Sequence, residues 1–246
     1  MIKVIEFFYS IVVYIMFLFT FLYAIGFIGN FLVPKSIDSG IEQGLGVTLV
    51  VNTLLLGLFA IQHSAMARPA FKTQWTKIIP KTIERSTYVL ATNLCLILLY
   101  WKWIPMKGIV WEIQSPLFAN IMWVLFATGC LIVLTSTFMV NHFYLFGLRQ
   151  TFNSLINKET PALEFKKAWL YKYCRHPIML GFMICFVATP VMTVGHLFCA
   201  VMCIAYIFIA LIFEERDLVN AIGEPYKEYQ RTVPKVCPFS FGKNKS

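Results

Sequence analysis

Three short polar segments interrupt an otherwise apolar chain, and each gathers residues that bear charge. The first is Gln62-His63-Ser64-Ala65-Met66-Ala67-Arg68-Pro69. The second runs from Asn141 and His142 through Gly147 to Arg149 and Gln150. The third is split: Tyr171-Lys172-Tyr173-Cys174-Arg175-His176-Pro177 enters a long apolar stretch, and Glu214-Glu215-Arg216-Asp217 leaves it. Ionisable residues in or bordering membrane spans mark a functional site by default. Each segment also has a plainer reading. His63 can be an interfacial anchor, Arg68 and Arg175 can reach for lipid headgroups, and Glu214-Glu215 can be the solvated start of a tail helix. Metal or haem ligation fits poorly, because His63, His142 and His176 sit at the ends of apolar stretches with no histidine three or four residues away. His196 lies at the opposite turn and is given no role.

The elements that must position these residues follow from composition. The 246 residues are 59% hydrophobic and 13% charged, with a mean hydropathy of +0.70. A soluble domain carries roughly 25% charge, so an ordinary cytosolic globule is excluded, as are a disordered chain and a secreted disulfide scaffold. Uncharged runs locate the spans: Phe7–Val33, Gly44–Ala67, Ser86–Trp101, Ile113–Leu148 with its apolar centre at Phe118–Val140, and Pro177–Phe213. About 20 apolar residues cross ~30 Å of hydrocarbon. The first, second and fourth suffice, and the third is short, with Trp101 and Trp103 as an interfacial belt. The first run is far too long for the core of a signal peptide. The last has 37 residues, too many for one crossing, and its middle, Thr189–His196, holds helix breakers. It reads as two short crossings, Ile178–Val191 and Leu197–Phe213, joined by a tight turn; a single straight span would put Arg175-His176 and Glu214-Glu215 on opposite faces.

The expectation is an all-α polytopic bundle of five to six transmembrane segments, the last two a short hairpin, followed by a cytoplasmic amphipathic helix over 214–232. It forms a single domain over 1–246, with four transmembrane helices in 1–140. Alternating the loops puts eighteen of the 21 Lys and Arg on one side, leaving Lys35, Lys102 and Lys107 on the other. The positive-inside rule makes the first side cytoplasmic, and all three polar segments fall there. The net charge of +9 is therefore a topology signal with some attraction to anionic headgroups, not a sign of nucleic-acid binding. Cys95, Cys130, Cys185, Cys199 and Cys203 lie in apolar helices without a Cys-x-x-Cys pair, and Cys199 with Cys203 reads as packing. Gly26 and Gly29, followed by Asn30, point either to close helix packing or to a helix end.

Arg175-His176-Pro177-x-x-x-Gly181 followed by Glu214-Glu215 resembles the pattern of integral-membrane S-adenosylmethionine-dependent methyltransferases, in particular the isoprenylcysteine carboxyl methyltransferase and phospholipid N-methyltransferase group. Met179 stands where that group commonly has Tyr. Over nearly its full length the chain resembles the methanethiol S-methyltransferase family. The resemblance rests on Phe21–Asn30, Val33–Gly40, Gln62–Lys72, Glu84–Leu90, the Phe146-Gly147-Leu148-Arg149-Gln150 segment, and Glu214–Leu218 with Gly223, Tyr226, Tyr229, Val233 and Pro234.

That resemblance implies an in-line methyl transfer from S-adenosylmethionine to a small thiol, methanethiol giving dimethyl sulfide, at a site facing the cytoplasm of a bacterial inner membrane. It implies cofactor contacts from His142, Gly147, Arg149, Gln150, Tyr173, Arg175, His176, Pro177, Glu214 and Glu215, with no metal. Glu214 or Glu215 suits the cofactor's ammonium, Arg175 or Arg149 its carboxylate, and Tyr173 with Phe-rich walls its adenine; Tyr226 and Tyr229 close the pocket. A thiol needs a basic or cationic neighbour, for which His63 and Arg68 are candidates, with Tyr88 behind them. The expected partners are the thiol and membrane lipids, with no nucleic acid and no obligate protein partner. A lipid-borne or isoprenylcysteine-like substrate, or a non-catalytic membrane protein of nitrogen-oxide metabolism sharing the fold, are the other readings.

Overall fold

The computed structural model describes residues 1–161 and 169–236; Lys166, Lys167, Lys243 and Lys245, which enter the charge count, lie outside them. Long uncharged runs give long helices, because every backbone group in lipid must be satisfied within its own segment. Helix α1 spans Ile2–Gly29 and α2 Leu45–Ala67, followed by short α3 (Pro69–Trp75) and by α4 (Glu84–Lys102). Strand β1 is Ile109–Glu112, α5 is Pro116–Val140, α6 is His142–Leu145 and α7 is Leu148–Leu155. A 3-10 turn at Trp169–Lys172 precedes α8 (Pro177–Val187), β2 (Val191–Thr193), α9 (Val194–Ile222) and α10 (Glu224–Thr232). Four of these, α1, α2, α5 and α9, are long and apolar enough to cross a membrane, and α8 is a shorter apolar helix. The fold is thus an all-α, polytopic membrane bundle.

The chain divides into two compact units. The first comprises Met1–Trp111, residues 141–161 and Val191–Cys199. Here α4 packs against α1 and α2, and α7 against α1. Buried polar side chains tie the helices: Ser10 meets Ser86 at 2.8 Å, and the Asn93 amide donates to the Val13 carbonyl at 3.4 Å. Asn52 exchanges both halves of its amide with the backbone of Ile104, at 2.8 and 3.0 Å. Helix α1 ends at Asn30, whose left-handed backbone (φ 60°) returns its N–H to the Gly26 carbonyl. Of the two readings of the Gly26–Asn30 segment, the helix end is the one observed. Strands β1 and β2 pair as a two-stranded ribbon.

The second unit comprises Glu112–Val140, residues 169–190 and residues 200–236. Helices α5 and α8 pack closely, with backbones so near at Gly129 and Gly181 that a Cβ on either would come within 2.8 Å of the other's carbonyl oxygen. Buried Ile207 and Leu211 of α9 pack with Met179, Leu180 and Met183 of α8. The long apolar stretch does fold back, with different bounds from those expected. Helix α8 has 11 residues, about 16 Å of rise, and stops at Val187, before Pro190. Helix α9 begins at Val194 instead of Leu197 and runs beyond Phe213 to Ile222. The expected single helix over 214–232 is therefore corrected: 214–222 continue α9, and α10 follows a break at Gly223 (φ 77°).

Candidate functional site

In the first unit the end of α2 presents His63 to α4. The Tyr88 hydroxyl stands 2.9 Å from both imidazole nitrogens, so either tautomer finds a partner there. Thr92, one turn along α4, reaches Nδ1 at 3.3 Å, and the Phe59 ring stacks on the imidazole at 5.2 Å. Tyr88 is buried, packed with Val13, Val89, Phe17 and Phe146. Arg68 closes α2 by donating from Nε to the Ser64 carbonyl at 3.3 Å. Thus His63 and Tyr88 come together, while Arg68 bonds to the end of α2.

The guanidinium over this group belongs to Arg85, three residues before Tyr88 and so on the same helix face. Its Cζ lies 4.8 Å from the Tyr88 ring centroid, and its Nε donates to the Leu145 carbonyl at 2.6 Å. That bond fastens the 141–150 segment to α4. Burial, and then the Arg85 charge, lower the pKa of Lys72 on α3.

The 141–150 segment opens on Asn141, whose side chain caps α6 by accepting from the Tyr144 N–H at 3.2 Å. Buried His142 meets the Tyr14 hydroxyl at 2.8 Å through Nε2, and Phe146 lies 4.8 Å from its ring. Burial holds the His142 pKa below the usual imidazole value. Gly147 (φ 88°) presses on α4: a Cβ there would lie 2.2 Å from Ser86 Oγ and 2.7 Å from its backbone nitrogen. Gln150 donates to the Tyr144 carbonyl at 3.0 Å, and its Oε1 is buried with no hydrogen-bond partner among the described residues. Arg149 is exposed in the first turn of α7. An apolar recess of about 490 Å³, lined by Val51, Leu54, Leu55, Leu58 and Ile104 with Gln43 and Lys102, contains none of these residues.

In the second unit Arg175, His176, Glu214 and Glu215 come together at the start of α8. Buried Glu215 takes Arg175 Nε and Nη2, each at 2.7 Å, and His176 Nε2 at 3.2 Å, all on Oε1. Lys235 Nζ approaches Oε2 at 3.2 Å. Arg175 Nη1 also holds the Gln230 and Val233 carbonyls at 2.9 and 2.6 Å. The backbone N–H groups of Arg175 and His176 donate to the Pro234 and Lys235 carbonyls at 3.0 and 3.1 Å, so the segment after α10 is strapped along the entry to α8. Pro177 occupies the first position of α8 and is buried, where a missing N–H costs nothing. Glu214 remains 43% exposed, its carboxylate 3.9 Å from His176 Nδ1. Tyr173 is exposed. Tyr226 and Tyr229 are buried on one face of α10; burial and then Glu215 push the Tyr226 phenol upward, and burial lifts Tyr229 to about 12.

Four residues in these groups were not singled out by sequence: Arg85, Thr92 (one turn after Tyr88), Tyr14 and Lys235. Arg85 reads as one more cytoplasmic charge, although its i, i+3 spacing to Tyr88 was visible. Tyr14 is a hydroxyl inside an apolar run, which needs a partner when buried. Lys235 follows the Val233-Pro234 pair, with nothing local to tie it to Glu215.

The model of the NnrU protein family matches residues 51–228. The chain is 48% identical to the methanethiol S-methyltransferase of Mycobacterium tuberculosis over 231 residues, covering 94% of this chain and 95% of that protein. It is 46% identical to methanethiol S-methyltransferase 1 of Bradyrhizobium diazoefficiens over 237 residues, 96% and 83% of the two chains. A nurim homolog of Drosophila melanogaster is 29% identical over 177 residues, 69% and 70%. No solved structure matches the chain.

Proposed function

The chain belongs to the methanethiol S-methyltransferase family, and from that premise we propose that it methylates a small thiol, methanethiol, to dimethyl sulfide with S-adenosylmethionine as methyl donor. The observation that carries this reading is the junction of Arg175, His176 and Glu215 with half-exposed Glu214 beside it. An amino-acid ligand needs an anion and a cation, and this group supplies the Glu214 and Lys235 side chains, 43% and 38% exposed, around the largely buried side chains of Arg175, His176 and Glu215. The residues present therefore fit the cofactor's amino-acid end. The chemistry supplied by S-adenosylmethionine when bound is a sulfonium methyl, open to in-line attack by a thiolate sulfur.

Glu214 holds the ammonium of the amino-acid end by a charge-assisted hydrogen bond. Arg175, with its donors turned onto Glu215 and the 230–233 carbonyls, fixes the position of Glu215 and closes the strap. His176, the residue that caps α8, orients Glu215 through Nε2, while Tyr226 and Tyr229 exclude water from that side. The His63 group has by itself the chemistry to handle a thiol. His63 accepts the thiol proton at a ring nitrogen, Tyr88 and Thr92 hold the imidazole, and the Arg85 charge favours the thiolate over the thiol. Arg68, His142, Gly147, Arg149 and Gln150 shape the surrounding segments. The chain resides in a cytoplasmic membrane, its polar segments on the cytoplasmic side.

The test is incubation of purified protein with methyl-labelled S-adenosylmethionine and methanethiol. Labelled dimethyl sulfide is the expected product. Label appearing only in lipid would overturn the thiol assignment, and no binding of S-adenosylmethionine in detergent would overturn the activity altogether.

A further inference from the structure

Recognition of an α-carboxylate requires a cation with donors to spare, and Arg175 has few. Of its five N–H bonds, one from Nε and one from Nη2 go to Glu215, and Nη1 serves two carbonyls. No two-pronged fork is left for an incoming carboxylate. Arg149 sits in the first turn of α7 and is not among the residues that pair in this group. The remaining cation of the group is Lys235. Its backbone is fixed, since its carbonyl accepts from the His176 N–H and its neighbours' carbonyls accept from Arg175 and Cys174. Its side chain is 38% exposed, against 8% for that of Arg175 and 9% for that of Glu215.

Glu215 divides its partners unevenly. Oε1 takes both buried donors, and Oε2 takes the half-exposed ammonium. When Lys235 leaves, Arg175 and His176 stay on Oε1 but Oε2 loses its cation, so opening the Lys235–Glu215 pair is favoured when another cation replaces Nζ. An amino-acid zwitterion brings that cation and, on the same carbon, an anion for the released lysine. One ion pair opens, two form, and the local charge stays balanced.

We propose that Lys235 is the carboxylate-binding residue for an α-amino-acid zwitterion, exchanging Glu215 Oε2 for the ligand's carboxylate while the ligand's ammonium, held by Glu214, also takes the place of Nζ on Glu215. This rests on S-adenosylmethionine being the methyl donor, and it assigns the donor's carboxylate to Lys235 in place of Arg175 or Arg149. A merely structural lysine would neutralise Glu215 permanently and be blind to the ligand's carboxylate.

The test is calorimetric binding to the full chain in detergent of S-adenosylmethionine, S-adenosylhomocysteine and decarboxylated S-adenosylmethionine, which keeps the amine and lacks the carboxylate. The wild-type chain should prefer the two carboxylate-bearing ligands. Lys235→Gln should weaken those two by about 10- to 100-fold, the worth of one charge-assisted hydrogen bond, and leave the decarboxylated ligand within about twofold, erasing the preference. Lys235→Arg should restore it. Equal weakening of all three ligands, or none, overturns the proposal. If Lys235→Gln does not fold, the wild-type and Lys235→Arg preferences decide, and no wild-type preference overturns it as well. A wild-type chain that binds the decarboxylated ligand as tightly as the others defeats the Lys235 assignment alone, whereas one that binds none of the three defeats the methyl-donor reading with it.

Discussion

At the scale of single residues, the paired carboxylates are adjacent in sequence and unlike in structure. Glu215 is buried under Arg175, His176 and Lys235, whereas Glu214 is half-exposed. Glu214→Gln should therefore weaken S-adenosylmethionine binding by tenfold or more while shifting the melting temperature little. Glu215→Gln should lower thermal stability as well, since removing one member of a buried ion pair costs about 3–5 kcal/mol. Calorimetry and thermal unfolding separate the two, and equal behaviour of both variants would refute the division. His142 gives a second contrast. Its folded pKa lies below the usual value because of burial, so the unfolded chain binds a proton near pH 6.5 that the folded chain does not take. Its contribution to stability is complete above that pH and is lost as the pH falls toward the lower, folded value. His142→Gln should flatten the fall in melting temperature below pH 6.5 relative to wild type; an unchanged slope would rule out His142 as its source. The identities of these residues were legible in sequence because ionisable groups beside apolar runs are few. Their division of labour was not: which donors Arg175 has left depends on carbonyls at Gln230 and Val233, more than fifty positions away.

At the scale of elements, the apolar runs predicted the helices well because lipid permits so few alternatives. The fold-back of the last run was legible through Pro190. The continuation of α9 through Glu214-Glu215-Arg216-Asp217 was not, because a run of charge marks the end of the apolar span and not the end of the helix, and Glu215 finds its partners at the start of α8 and in the strap. The stop comes instead at Gly223, with its positive φ. The second polar segment is governed by contact with α4. Arg85 holds the Leu145 carbonyl, and Gly147 rests against Ser86 in a backbone conformation that side chains rarely adopt. Gly147→Ala must move the segment off α4 or strain it, and should cost about 1–3 kcal/mol of stability. Because Arg85 also overlies Tyr88, the same variant should lower turnover more than S-adenosylmethionine affinity. A fully stable Gly147→Ala chain would contradict the close approach.

At the scale of the whole molecule, the sparse charge is the strongest constraint. In a chain with 13% charged residues, the expected alternation of spans would put eighteen of the 21 cations on one side, and such a bias favours insertion in a single orientation, since each misplaced basic loop opposes translocation. The proposed methyl donor is a cytoplasmic metabolite, so the proposal requires the polar segments to face the cytoplasm. The loops of the first unit provide the test. With the native cysteines replaced, single cysteines at Lys77 and Lys158 should react with a membrane-impermeant maleimide only in inside-out vesicles, and cysteines at Asp38 and Lys107 only in intact spheroplasts. Labelling of all four from one side would exclude alternation, and the reverse pattern would place the polar segments outside. Either result would break the link between charge sidedness and cofactor access, whatever the chemistry of the individual residues.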